Sequence, residues 1–255
     1  MKKFTKFLVG LLLIGSIFVF PFWTTQAVKA DSGYVIDDYY VEILVKKDGS
    51  YLITETIKVN FLELSRGIYR NLPTKYWMNW DIEGKTYVRE YLFSISNIKV
   101  NEVNEIEKFK QGIQIRIGNP DVYIIGEKIY KLSYVVHTKD LDLEGRQLFY
   151  YNVIGTEWTT EIKHAHFSIK FENEIDYSNV QIYNGRANES KTNTKVSCQY
   201  NRNDYRIDCE TTEALVSKEA ITVWLHLPDD FFKFPDYTYL YILSSAFSSL
   251  LAFGL

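Results

Sequence analysis

His164 and His166 stand two residues apart in an alternating apolar run, so both imidazoles point the same way and both could reach one divalent cation. That is half of a metal site. His137 and His226 are the only other histidines, and Ser168 and Lys170 share the face, so solvated polar surface is the expected state there. Asp140, Asp142 and Glu144 in TKDLDLEG offer carboxylates to calcium without the spaced loop that ion prefers, and read as a surface loop. No GxSxG, HExxH or glycine-rich phosphate loop occurs, and no residue set for a cofactor stands out. The 32 Asp and Glu leave a paired-carboxylate glycosidase open without selecting a pair.

Cys198 and Cys209 are the only cysteines. A two-residue turn at Asn203-Asp204 pairs Arg202 with Tyr205, Tyr200 with Ile207, and Cys198 with Cys209. That register places Val196, Cys198, Tyr200, Tyr205, Ile207 and Cys209 on one face, with the two sulfurs at cross-strand distance. In an exported chain a disulfide is the natural reading, and it removes a cysteine nucleophile from consideration.

Glu55 is the polar residue out of place. It shares an apolar strand face with Tyr51, Ile53, Ile57, Val59 and Phe61, and a carboxylate facing a core needs a partner. The following segment, RGIYRNLP at 66–73, supplies Arg66 and Arg70, either of which can meet it in a bidentate fork. The expectation is an ion pair between Glu55 and Arg70 or Arg66; a solvated Glu55 at a strand end is the alternative.

The elements that must position these groups are short strands. Ile113, Ile115 and Ile117 alternate with Gln114 and Arg116; Ala165, Phe167, Ile169 and Phe171 with His164, His166, Ser168 and Lys170; Ile221, Val223, Leu225 and Leu227 with Thr222, Trp224 and His226. Asp48-Gly49 is a strong hairpin signal, and Gly118-Asn119-Pro120-Asp121 and Asn184-Gly185 read as further breaks. The segment 101–110, rich in Glu and Lys, reads as a short surface helix or a loop. Twenty Tyr, 16 Phe and 5 Trp among 255 residues favour strands with half-buried aromatic positions. The expected fold is an all-β antiparallel sandwich, either one large unit or two lobes joined near 101–111 or 156–163.

Apolar stretches flank this sandwich. Phe7 to Trp23 follows Lys2, Lys3 and Lys6 and leads into Gln26-Ala27-Val28-Lys29-Ala30, the layout of a signal peptide cleaved after Ala30. Tyr237 to Leu255 carries no charge and would be about 28 Å long as a helix, adequate for a hydrocarbon core of about 30 Å. The organisation expected is therefore signal peptide 1–30, extracytoplasmic β domain 31–236, and transmembrane helix 237–255. Net charge is −3 with Lys and Arg scattered, which excludes a basic footprint for nucleic acid.

The order of leader, Lys-Asp-Gly-Ser turn (47–50), Thr-Glu-Thr-Ile (54–57), RGIYRNLP (66–73), YYNVIGTEW (150–158), two-cysteine hairpin and late strand before an apolar helix resembles the bacterial family of predicted membrane proteins known as domain of unknown function 2207. The resemblance implies an extracytoplasmic β-sandwich tethered to the cell membrane. It also implies that relatives usually continue with further membrane helices and a cytoplasmic part; against that pattern this chain is expected to stop inside its first membrane segment, as a truncated, split or short member. The expected role is a non-enzymatic interaction or scaffold domain whose partner is an envelope protein or polymer. Its expected surface is Arg66, Tyr69, Tyr76, Trp77 and Trp80, since arginine and aromatics dominate recognition surfaces. An envelope hydrolase acting on cell-wall sugars or peptides is the competing class.

Overall fold

The computed structural model describes residues 33–234, apart from 83–84, 139–141, 144–145, 188 and 190–192. The leader and the apolar tail, 1–30 and 237–255, lie outside the described residues, as do Asp140 and Glu144. The described secondary structure is all β apart from one 3-10 turn at Tyr177–Asn179.

Numbered in chain order, the strands build three sheets. The largest runs β13 (Val196–Asn201), β14 (Arg206–Thr211), β11 (Ile162–Phe171), β1 (Tyr34–Val45), β2 (Ser50–Ser65), β8 (Ile124–Thr138), β5 (Lys85–Val100), β4 (Lys75–Ile82). A four-stranded sheet runs β12 (Gln181–Gly185), β15 (Ala220–His226), β10 (Arg146–Ile154), β9 (Asp142–Leu143). A three-stranded sheet runs β3 (Ile68–Pro73), β7 (Gly112–Ile117), β6 (Asn104–Phe109).

Both smaller sheets lie over the same face of the large one. Tyr51 of β2 meets Phe149 of β10 at 5.2 Å between ring centroids, and Phe171 of β11 meets Phe149 at 5.4 Å. Arg70 of β3 reaches Glu55 of β2. Period-two burial follows: Tyr39, Val41, Ile43 and Val45 of β1 are buried while Tyr40 and Glu42 are exposed. The buried apolar residues form one continuous cluster contributed by all three sheets.

Two local readings are corrected. Pairing is not antiparallel throughout: β1 and β11 run parallel, from Ile36 opposite Ile162 to Val45 opposite Phe171. The reason is connectivity, because β11 arrives from the covering sheet through the loop carrying Trp158, and only a hairpin forces antiparallel neighbours. The segment 101–110 is neither helix nor loop but contains β6, paired to β7 with Ile106 opposite Ile115. All six β6 residues are exposed, so it shows no alternation by which sequence could reveal it. Asn184 itself is a buried residue inside β12, and the expected break falls at Gly185, the last residue of that strand, with φ +155°.

The hairpin β13–β14 keeps the expected register, Cys198 opposite Cys209, but its turn spans Arg202 to Tyr205. Asn201 organises that turn by accepting from the Asn203 and Asp204 amides, and Tyr205 takes φ +52°. At the Asp48–Gly49 turn, Gly49 has φ +79°, and a Cβ there would run into the Phe234 ring. The Lys233 amide donates to the Lys47 carbonyl, so the last described residues are fastened to this end of the large sheet.

Candidate functional site

The two faces of the large sheet place the polar residues in opposite settings. On the covered face, Glu55 is 0% exposed and Arg70 lies directly above it. One oxygen, Oε2, accepts from Tyr39 OH at 2.7 Å and Arg70 Nε at 2.8 Å; the other, Oε1, accepts from Arg70 Nη2 at 2.7 Å and Tyr134 OH at 2.6 Å. Arg70 Nη1 donates to the Asn71 carbonyl, and the guanidinium lies 5.4 Å from the Trp158 ring centroid. Burial alone would push the Glu55 carboxyl up; the charge of Arg70 and the donated hydrogen bonds outweigh it and hold the group below its ordinary value of 4.5. With both oxygens saturated and no route to solvent, this group joins β1, β2, β3 and β8 and has no free lone pair for proton transfer.

Arg66, the other guanidinium of this segment, does not reach Glu55. It donates to Tyr123 OH and stacks over that ring at 4.5 Å. Among the recognition residues expected from sequence, Tyr69 is 55% and Trp77 63% exposed. Tyr76 turns inward onto Phe93, Tyr150 and Tyr151. The Trp80 side chain lies outside the described residues.

The uncovered face carries a trough of about 540 Å³ crossing β1, β2, β11, β13 and β14. Its floor is a stacked pair: Tyr40 and His166, brought side by side by the parallel β1–β11 pairing, lie 4.8 Å apart with planes 10° from parallel. His166 Nδ1 is 3.7 Å from Glu210, Ser168 Oγ donates to Asp208 at 2.8 Å, and Arg206 Nε donates to the other Asp208 oxygen at 2.8 Å. Glu42, Thr56, Ser197 and Gln199 complete the lining. The combination of an open aromatic face with polar groups from five strands suits a ligand held by stacking, hydrogen bonds and charge.

His164 and His166 share this face, but they diverge in company: His166 stacks on Tyr40, while His164 lies in register with Asp38. Among the described residues no three His, Cys, Asp or Glu groups stand close enough to hold a metal. Cys198 and Cys209 are joined in a disulfide that ties edge strand β13 to β14 beside the trough.

Sequence reasoning missed a second buried polar cluster. Glu219 accepts from Asn184 Nδ2 at 2.9 Å, Lys195 Nζ at 2.8 Å and the Val216 amide at 3.0 Å, while Asn184 Oδ1 accepts from the Thr194 and Lys195 amides. Burial raises the Glu219 carboxyl, and these donors together bring it below its ordinary value. The Asn-Gly pair that suggested a turn concealed it, because a side-chain amide joining two loops has no local signature.

The chain belongs to the family described as predicted membrane protein (DUF2207), N-terminal domain, whose model matches residues 35–233. No curated protein matches it. Solved structures similar to it include the M1 zinc metallopeptidase from Deinococcus radiodurans (TM-score 0.38, 10% identity, covering 75% of this chain and 42% of that one). Others are yeast LTA4 hydrolase in complex with bestatin (0.37, 10%, 75% and 28%) and a putative protease from Parabacteroides distasonis (0.39, 10%, 77% and 41%). This chain thus spans less than half of each of them, and likeness of this degree carries no argument about activity. Among the described residues no helix is long and apolar enough to cross a membrane.

Proposed function

We propose that this family member is a membrane-tethered extracytoplasmic binding domain, and that the trough over β1, β11 and β14 is where it meets its partner, an envelope protein or polymer. The observation that carries the reading is the contrast between a sealed sheet face and an open one bearing a stacked Tyr40–His166 pair ringed by Glu42, Thr56, Ser197 and Gln199. Support for tethering comes from the family and from the charge-free run Tyr237 to Leu255. That run begins just beyond Phe234, which packs on the Asp48–Gly49 turn, so this end of the sheet would face the bilayer and leave the trough open alongside. The leader 1–30 supports export.

A binder fits the trough better than a hydrolase. Asp208 is committed to Ser168 and Arg206, and Glu210 lies against His166, so a pair of carboxylates acting as acid and base would first have to release these partners. Fractionation with external protease tests the tether. The full chain should sit in the membrane fraction and be digested in intact cells, and a chain ending at Asp236 should be released. A full chain resistant to external protease, or a soluble one, would refute the reading.

A further inference from the structure

We infer that the outer edge of β13 receives an extended basic peptide, which adds a ninth strand to the large sheet and lays alternate side chains into the trough. This deepens the reading of the trough as a binding surface and rests on it. The edge is β13's because, among the described residues, that strand ends the sheet and pairs only with β14.

Which of its main-chain groups face outward follows from one hydrogen bond. The Thr212 amide donates to the Lys195 carbonyl at 2.8 Å, which makes that opposed pair a hydrogen-bonded one in the antiparallel ladder. Bonded and non-bonded pairs alternate, so Ser197, Gln199 and Asn201 bond to β14, and Val196, Cys198 and Tyr200 turn their N–H and C=O away from it. Val196 is already capped, its N–H and C=O both held by the Asn193 side chain. The N–H and C=O of Cys198 and Tyr200 are left to face an incoming strand, and the disulfide holds β13 firmly against β14 for that purpose. Strand addition at such an edge takes its affinity from main-chain hydrogen bonds and its specificity from alternate side chains.

Charge decides what those side chains are. Glu42, Asp208 and Glu210 line the trough, and Arg206 is the one Lys or Arg bonded to any of them among the described residues. Two strands of spacing separate an added strand from β14, about 10 Å, which the combined reach of a lysine and a carboxylate spans over Ser197 and Gln199.

The test is fluorescence anisotropy with the full chain in detergent and a labelled octapeptide of alternating Lys and Thr. The expected result is saturable binding, weakened at least tenfold by Tyr200→Pro, which deletes an outward N–H while leaving every bond to β14. A probe N-methylated at every residue should fail to bind, because whichever alternate set of its amides faces β13 is then removed, and this decides the matter even if the proline variant folds poorly. Glu210→Gln, which removes a carboxylate of β14 within that reach, should weaken binding about tenfold, and a Glu-Thr octapeptide should not bind. Equal binding of the N-methylated probe, or no binding of the parent probe, would overturn strand addition. If Tyr40→Ala abolishes binding while N-methylation does not, the trough binds ligand but the β13 edge takes no strand.

Discussion

Tyr39 and Tyr40 are neighbours in β1, and Glu55 and Thr56 are neighbours in β2, yet one step along each strand moves from a sealed interior to an open trough. Tyr39 gives its hydroxyl to Glu55 beneath Arg70; Tyr40, 47% exposed, stacks on His166. The two faces draw on the same kinds of group, carboxylate, phenol and cation, and differ in whether every donor and acceptor is already used. Glu55 has four donors around two oxygens, whereas Glu42 has no hydrogen bond or ion pair among the described residues. A saturated buried pair specifies the fold; an unsaturated exposed set is available to something else.

The largest effect that would break or sharpen this contrast comes from Arg70→Met. It leaves Glu55 buried without its cation and should cost about 3–5 kcal/mol in chemical unfolding. Adding Glu55→Met should restore part of that loss, because the remaining cost is two tyrosine hydroxyls without an acceptor, and the double variant should lose less than the sum of the singles. Additive losses would mean the pair does not act as a unit.

Acid should act on the same face. Because the folded Glu55 carboxyl lies below 4.5, its contribution is complete above that pH and is lost as pH falls through the folded value. Stability should therefore decline below about pH 4.5 in the parent, with a shallower slope in the Glu55→Met, Arg70→Met double variant. Glu219, Asp48 and Asp176 are lowered in the same direction and contribute to the slope that remains.

Removing the disulfide with Cys198→Ser and Cys209→Ser should cost about 3 kcal/mol for a loop of this size. It should also loosen β13, so the trough should lose ligand before the domain unfolds. On the open face itself, Glu42→Gln should change stability by less than about 0.5 kcal/mol. A larger loss there would show that the trough residues hold the fold together as the covered ones do.

How much of this was legible beforehand follows from which contacts are local. The strands at 112–117, 162–171 and 220–226 announce themselves by alternation, and so does the intrusion of Glu55 into an apolar face. The cysteine register follows from one hairpin. The trough was hidden because its floor depends on β1 and β11 lying parallel, a pairing between segments more than a hundred residues apart that no turn signals. For the same reason nothing local to RGIYRNLP shows that β3 lies over Glu55, which takes Arg70 out of solvent and leaves Tyr69 and Arg66 outside.

The most direct measurement is in-cell photo-crosslinking from a photoreactive residue placed at Glu42 in the trough, against one at the exposed Glu174 outside it. A discrete adduct from position 42, lost with Tyr40→Ala and absent from position 174, is the result expected if the open face is the binding surface. Adducts of equal yield from both positions, or from position 174 alone, would contradict it.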